Sequence, residues 1–333
     1  MHARKESVGV TAGHPGQGPR PVDAYELDTG DGLAIVVWTY GATLVEVRVP
    51  DRHGRQENVV LRHARLRDYE DRRGNPYLGA TVGRFCRNIA YGKFTLDGRS
   101  YQLDLNDRRH HIHGGAYGFD RVVWDAELTR TADALTLRLR YLSPDGDQGY
   151  PGALAAETSY RVEAGGRLTF EHRATTSAST IVGFTNHAYW NLGGSGDGGV
   201  IDDHRLRLNA THMLPFDDEF LPVAGPAPVH GTEYDFTTAR RLGRTRIDNF
   251  FTLSDPAWAA EMSDPTSGRR MRVVTDQPGI GLYSADRYAR SRAGLCLETG
   301  AWPDAANRPE FPSVRLDPDG VYTSRTTHHF TVD

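Results

Sequence analysis

Lysine is almost missing: Lys5 and Lys93 are the only two among the 39 basic residues of this 333-residue chain, so positive charge rests on arginine. Those arginines are outweighed by 43 acidic residues, giving a net charge of −4. They form no sustained basic run. A phosphate-binding face needs concentrated positive charge, so a nucleic-acid partner is excluded as a working reading. Cysteine is scarce too. Cys86 and Cys296 are too few for a disulfide scaffold and lack zinc-finger spacing. No apolar run approaches the ~18 residues of a membrane span, and the N-terminal residues lack a signal-peptide core. A cytoplasmic protein with reduced thiols, no membrane partner and a monomeric or homodimeric state is expected. Sustained helical periodicity is lacking as well. Residues 61–69 form the one persuasive helical stretch, with Leu61, Arg65, Leu66 and Tyr69 able to share a face.

What the chain has instead is turn chemistry and alternation. It carries 36 glycines and 18 prolines, which break helices and supply turn dihedrals. Apolar and polar residues alternate at 33–37, 44–49, 135–141, 168–174, 206–208, 271–275 and 330–332, the pattern of half-buried strands. Asp-Gly pairs at Asp97-Gly98, Asp145-Gly146 and Asp319-Gly320 mark turns. Residues 1–20, rich in Gly, Pro and polar side chains, are expected to form a disordered tail. Length alone suggests about two domains of ~150 residues. The strand pattern nonetheless runs unbroken without βαβ alternation or a linker, which predicts one large all-β antiparallel sandwich over residues 21–333. Residues 193–199 spell a formal G-x-G-x-x-G but lack the strand-to-helix setting of a nucleotide site, so a flexible loop is expected there.

Three clusters hold the candidate chemistry. His111 and His113 lie in Arg109-His-His-Ile-His-Gly-Gly, where an H-x-H metal site, a structural histidine and a substrate contact compete. No carboxylate follows to complete a metal set. His187 lies in Thr185-Asn-His-Ala-Tyr-Trp-Asn-Leu, where Tyr189 and Trp190 offer a wall for a ring to stack on. Glu298 interrupts an apolar strand, a position that costs free energy unless the carboxylate has a partner or a function. A histidine and a glutamate together suit proton shuttling near neutral pH. Sequence spacing does not bring them together.

Six segments, met in order, resemble the aldose 1-epimerase (galactose mutarotase) family. They begin at Asn75 (Asn-Pro-Tyr-Leu-Gly-Ala-Thr-Val-Gly-Arg), Ile112 (Ile-His-Gly-Gly-Ala-Tyr-Gly-Phe-Asp-Arg), Asp145 (Asp-Gly-Asp-Gln-Gly-Tyr-Pro-Gly), Asn186 (Asn-His-Ala-Tyr-Trp-Asn-Leu), His230 (His-Gly-Thr-Glu-Tyr-Asp-Phe) and Leu297 (Leu-Glu-Thr-Gly-Ala-Trp-Pro-Asp). The resemblance implies a galactose mutarotase-like supersandwich, a sugar or sugar-containing substrate, and neither metal nor organic cofactor. It implies Glu298 as base and His187 as acid for ring opening, with His113 and Asp248 binding sugar. Departures cluster at the expected cleft. The family's Asn-Arg pair is reversed in Gly83-Arg-Phe-Cys-Arg-Asn-Ile, so that Arg84, Arg87 and Asn88 are candidate sugar contacts in an altered order. Gly281 and Gly300 stand where the family usually has glutamine. These losses of polar groups suggest a ligand other than a free hexose. An isomerase acting on anomers leads; another acid–base reaction on a specialised metabolite, or a non-catalytic carbohydrate binder, are the alternatives.

Overall fold

The computed structural model describes residues 1–196, 199–254, 258–288 and 290–333. Of the 193–199 loop, residues 197 and 198 lie outside the described residues. Strand accounts for 45% of the chain and helix for 5%, and every ladder between named strands is antiparallel, as the alternation predicts. The strand Ala134–Ser143 shows how: Leu135, Leu137 and Leu139 are fully buried, while Arg138 and Arg140 on the other face pair with Glu157. Between Lys93–Leu96 and Arg99–Gln102, Asp97 and Gly98 both take positive φ, 51° and 73°, which a two-residue hairpin of this hand requires.

Three sheets dominate among the described residues. One joins five strands in chain order from His2–Val10 to Gln56–Asn58. A second, of nine strands, includes Ala134–Ser143, Leu154–Glu163, Arg167–Thr176 and Tyr322–Val332. The third, of six, runs Tyr189–Trp190, Leu295–Thr299, Gly279–Tyr283, Asp248–Thr252, His212–Leu214 and Ala227–Pro228. Leu61 N–H bonds Tyr189 O and Asn191 N–H bonds Val59 O, joining the first and third sheets edge to edge. One buried cluster draws Ile35 and Val47 from the first, Leu137 and Phe170 from the second, and Leu282 and Leu297 from the third. No helix among the described residues is long and apolar enough to cross a membrane.

Two expectations are corrected. The helix is only Leu66–Glu70, burying Leu66 and Tyr69, because the backbone at Val60 and Leu61 is taken by the ladder to Tyr189 and Trp190. The disordered tail is a strand from its second residue. His2–Val10 pairs antiparallel with Pro21–Asp28, with an irregularity between Ser7 and Gly9, and Lys5 bonds Asp23 at 2.8 Å. Its composition carries little apolar signal, with only Ala3 and Val8 packed on the apolar clusters, because an edge strand is held largely by main-chain bonds and exposed charges. Amides of His2–Val10 that bond the neighbouring strand should therefore exchange with deuterium more slowly than free-peptide amides. Free-peptide exchange throughout would restore the tail.

Candidate active site

The six-stranded sheet turns one face to the core and the other to a cleft of about 430 Å³. Adjacent strand residues point to opposite faces. Tyr189 lines the cleft, and Trp190 does not: it packs in the core, stacked on His328 at 4.9 Å. Trp190 is thus no part of a sugar-stacking wall. Glu298 likewise faces the cleft between Leu297 and Thr299.

Glu298 and His187, distant in sequence, meet at the cleft floor with His187 Nε2 3.5 Å from Glu298 Oε1. Both are buried, at 4% and 5% exposure, so each must find its partners inside the protein. Arg87 supplies one: its Nη1 donates to Glu298 Oε2 at 2.9 Å. The imidazole of His187 is layered between the rings of Tyr189, at 5.1 Å, and Tyr77, at 5.7 Å, with His113 edge-on at 5.2 Å. Burial holds the His187 pKa below the ordinary histidine value, and Glu298 partly offsets it. Behind the ring, Cys296 Sγ lies 3.6 Å from Nδ1. Burial pushes that thiol well up, so it keeps its proton and can donate to Nδ1 of the neutral ring, leaving the proton on Nε2, toward the cleft.

His113 is fixed differently. Its Nδ1 lies 2.8 Å from the Cys86 carbonyl, which only accepts, so Nδ1 carries the proton. Burial and the nearby His187 and Arg87 push its pKa well down, leaving a neutral ring whose Nε2 is a hydrogen-bond acceptor. Asp248 lines the cleft's other side on the strand two places from Glu298. Burial first, then the charge of Glu298, raise its carboxyl to about 6 against the opposing pull of Arg287.

Arg84 departs from expectation. It is 2% exposed and caps main-chain carbonyls of Ser143, Pro144, Pro151 and Gly152, besides donating to Ser143 Oγ at 2.9 Å. It staples the 144–152 loop and does not line the cleft, so it is not a ligand contact. The reversed Arg87-Asn88 pair, by contrast, stays at the cleft. Residues 83–89 form no regular strand, strict alternation does not apply, and both side chains border the cleft. His111 is committed elsewhere, between Tyr150 Oη at 2.7 Å and Asp104 at 2.8 Å, so it forms no pair with His113. One ligand atom each from His113, His187 and Glu298 lie within 4.8 Å of one another, close enough to chelate a cation. The guanidinium at Glu298 places positive charge against such a dication.

Sequence reasoning missed Tyr77, Arg72, Cys296 and Asn249. Arg72 pairs with buried Asp120 at 2.7 Å and lies 4.3 Å from the Tyr77 ring, backing the ring that covers His187. Tyr77 stood inside the Asn75 segment with a positive φ of 64°, a backbone feature invisible in composition.

The sequence profile of the aldose 1-epimerase family matches residues 23–329. Galactose mutarotase from Sus scrofa is 35% identical over 336 residues, covering 95% of this chain and 96% of that protein. Aldose 1-epimerase from Escherichia coli K12 is 29% identical, with 94% and 96% covered. A crystal structure of galactose 1-epimerase from Lactobacillus acidophilus superposes with a TM-score of 0.87 at 27% identity, covering 99% of each chain.

The Asp248 environment makes a prediction about stability. Its folded pKa, about 6, exceeds the unfolded value of 3.8, so the folded state is penalised as pH rises from about 4 and fully so above about 6. Asp248→Asn should raise Tm at pH 7 relative to the parent, with the difference closing near pH 4. Equal Tm values at both pH values would show that Asp248 carries no such penalty.

Proposed function

The chain belongs to the aldose 1-epimerase family, and from that premise we propose that its cleft opens and recloses the ring of an aldose with Glu298 as base and His187 as acid. The isomerase activity, interconversion of sugar anomers, comes with the family. The roles of the individual residues are our reading, and one observation carries it: an acid-capable nitrogen and a carboxylate oxygen stand 3.5 Å apart at the floor of a sugar-sized cleft.

The reaction needs that closeness. In a cyclic aldose the anomeric hydroxyl oxygen and the ring oxygen are bonded to the same carbon, so the groups that take and give protons must be near neighbours. Glu298 Oε1 removes the proton from O1. The O1 electrons form the C1 carbonyl, the C1–O5 pair passes to O5, and protonated His187 delivers its Nε2 proton there. The low pKa that burial gives His187 makes that imidazolium a willing donor. Cys296 Sγ can accept from Nδ1–H in the charged ring as readily as it donates in the neutral one. Rotation about C1–C2 and the same transfers in reverse yield the other anomer.

Binding follows from the surroundings. His113 Nε2, an acceptor, takes a sugar hydroxyl; Asp248 and Asn249 face the opposite side of the ring; Tyr77 and Tyr189 frame the acid. The relatives, galactose mutarotase and galactose 1-epimerase, make galactose the first substrate to try. The alternative acid–base reaction on a specialised metabolite is not favoured. A soluble sugar is the expected partner, with the cytoplasm as the expected compartment and a monomer or homodimer as the expected state.

Polarimetry of freshly dissolved α-galactose and α-glucose tests this directly. The enzyme should bring rotation to equilibrium faster than buffer, and Glu298→Gln and His187→Asn should each lower kcat by about 10²–10⁴. A Glu298→Gln protein as fast as the parent would remove the proposed base.

A further inference from the structure

Arg87 and Gly281, distant in sequence, meet at one spot beside Glu298. In the antiparallel ladder Phe250 lies opposite Gly281 and Gly281 opposite Glu298, so the three occupy one row on the cleft face. The guanidinium of Arg87 lies across that row. It stands 5.1 Å from the Phe250 ring centre, Nη1 donates to Glu298 Oε2 at 2.9 Å, Nη2 donates to the Glu298 carbonyl, and Nε donates to Ala301 O at 3.3 Å. One side chain therefore grips both the carboxylate and the main chain of Glu298.

Gly281 makes room for it. A Cβ at position 281 would come within 2.8 Å of Arg87 Nη1, closer than real Cβ contacts allow, and 3.1 Å of Cζ, so the guanidinium would have to shift. Backbone conformation does not demand glycine there, because Gly281 is not among the residues of positive φ. The guanidinium does. Gly300 is set by other constraints: its φ is +157°, and a Cβ there would meet Phe184 O at 3.2 Å and Cys86 Sγ at 3.3 Å, with Arg87 Nη2 at an ordinary 4.0 Å. The space over Gly281 is thus filled by a guanidinium already bonded to the protein.

We propose that Arg87 and Gly281 form a single device in which Arg87 is the positioning residue for Glu298, holding Oε2 so that Oε1 is turned to His187 and the sugar, and the glycine admits it. The proposal rests on Glu298 being the base. With one carboxylate oxygen and the carbonyl of the same residue held, the side chain loses rotational freedom that would otherwise misdirect it. The guanidinium is suited to this because its planar fork makes several directed bonds at once; an ammonium has no such fork.

The test is steady-state polarimetry with galactose over a range of concentrations, alongside Tm for each variant. Gly281→Ala, which adds one methyl against Nη1, should lower kcat about tenfold to a hundredfold with little change in KM. Arg87→Ala should do the same and regain part of its kcat on addition of millimolar guanidinium, while Arg87→Lys should not restore the parent rate. Gly281→Gln should be far less harmful in an Arg87→Asn background than in the parent, a non-additivity expected only if the two side chains share one space. The assignment is overturned by equal losses from Gly281→Gln in both backgrounds, or by an Arg87→Ala enzyme that keeps its kcat and loses only KM, the signature of a plain sugar contact. Should Arg87→Ala fail to fold, Gly281→Ala decides alone, an unchanged kcat refuting the device. Full activity in Glu298→Gln defeats the acid–base reading itself, an outcome distinct from any in the Arg87 series.

Discussion

A carboxylate removed from water must be compensated where it stands, and at Glu298 this requirement organises the surrounding cleft. An isolated buried charge costs several kcal/mol, and even a paired one is worthwhile only with good geometry and further hydrogen bonds. Glu298, 4% exposed, meets these terms on two sides: Arg87 on Oε2 and His187 near Oε1. The two partners differ in kind. Arginine cannot give up its proton and so compensates permanently. Histidine can, and so the second partnership changes whenever a proton moves. A buried pair with one fixed and one labile neighbour is poised for proton transfer without ever leaving the carboxylate unpartnered.

The β-sheet is what makes this arrangement possible, because pleating sorts residues of one strand between two solvents. On Leu295–Thr299, Cys296 and Glu298 serve the cleft, while Leu295 and Leu297 belong to the core. Along 186–190 the same division sends His187 and Tyr189 one way and Trp190 the other. Pairing of Tyr189 with Cys296 and of Gly281 with Glu298 then sets acid, base and the guanidinium's bed side by side. A slip of one residue in either ladder would exchange the two faces and carry Leu297 into the cleft. Register therefore protects chemistry and packing together, since the apolar residues that lock it alternate with the polar ones that act.

The alternation that makes the sheets was legible from residue order alone. Leu135, Leu137 and Leu139 announced a strand because burial on one face leaves a period of two. The strand Tyr322–Val332 was seen only at its end, since its first residues, Tyr-Thr-Ser-Arg-Thr-Thr-His, pair through main chain and carry little apolar signal. The same blindness made the N-terminal edge strand look like a tail. In the site, motif resemblance nominated Glu298, His187, His113 and Asp248, and all four border one cleft. Where the chain is irregular, pattern failed. Arg84 looked like a ligand contact because a conspicuous arginine in a motif carries no mark of whether it faces solvent or five internal acceptors.

The reversed arginine shows why substitutions near an active site should be weighed as volumes as well as functional groups. Taken singly, a glycine at 281 leaves space and suggests a cleft altered for another ligand. Taken with Arg87, Gly281 exchanges a side chain of its own for the guanidinium that fills the same space. The exchange has consequences that residue counting misses. Hydrogen bonds to a charged group are worth roughly twice those between neutral ones, and a guanidinium held by Ala301 O, Glu298 O and Glu298 Oε2 is committed to the protein before any sugar arrives. Such a group contributes little by binding ligand and much by fixing the base, so the departures from the family pattern bear on how the carboxylate is held more directly than on which sugar enters.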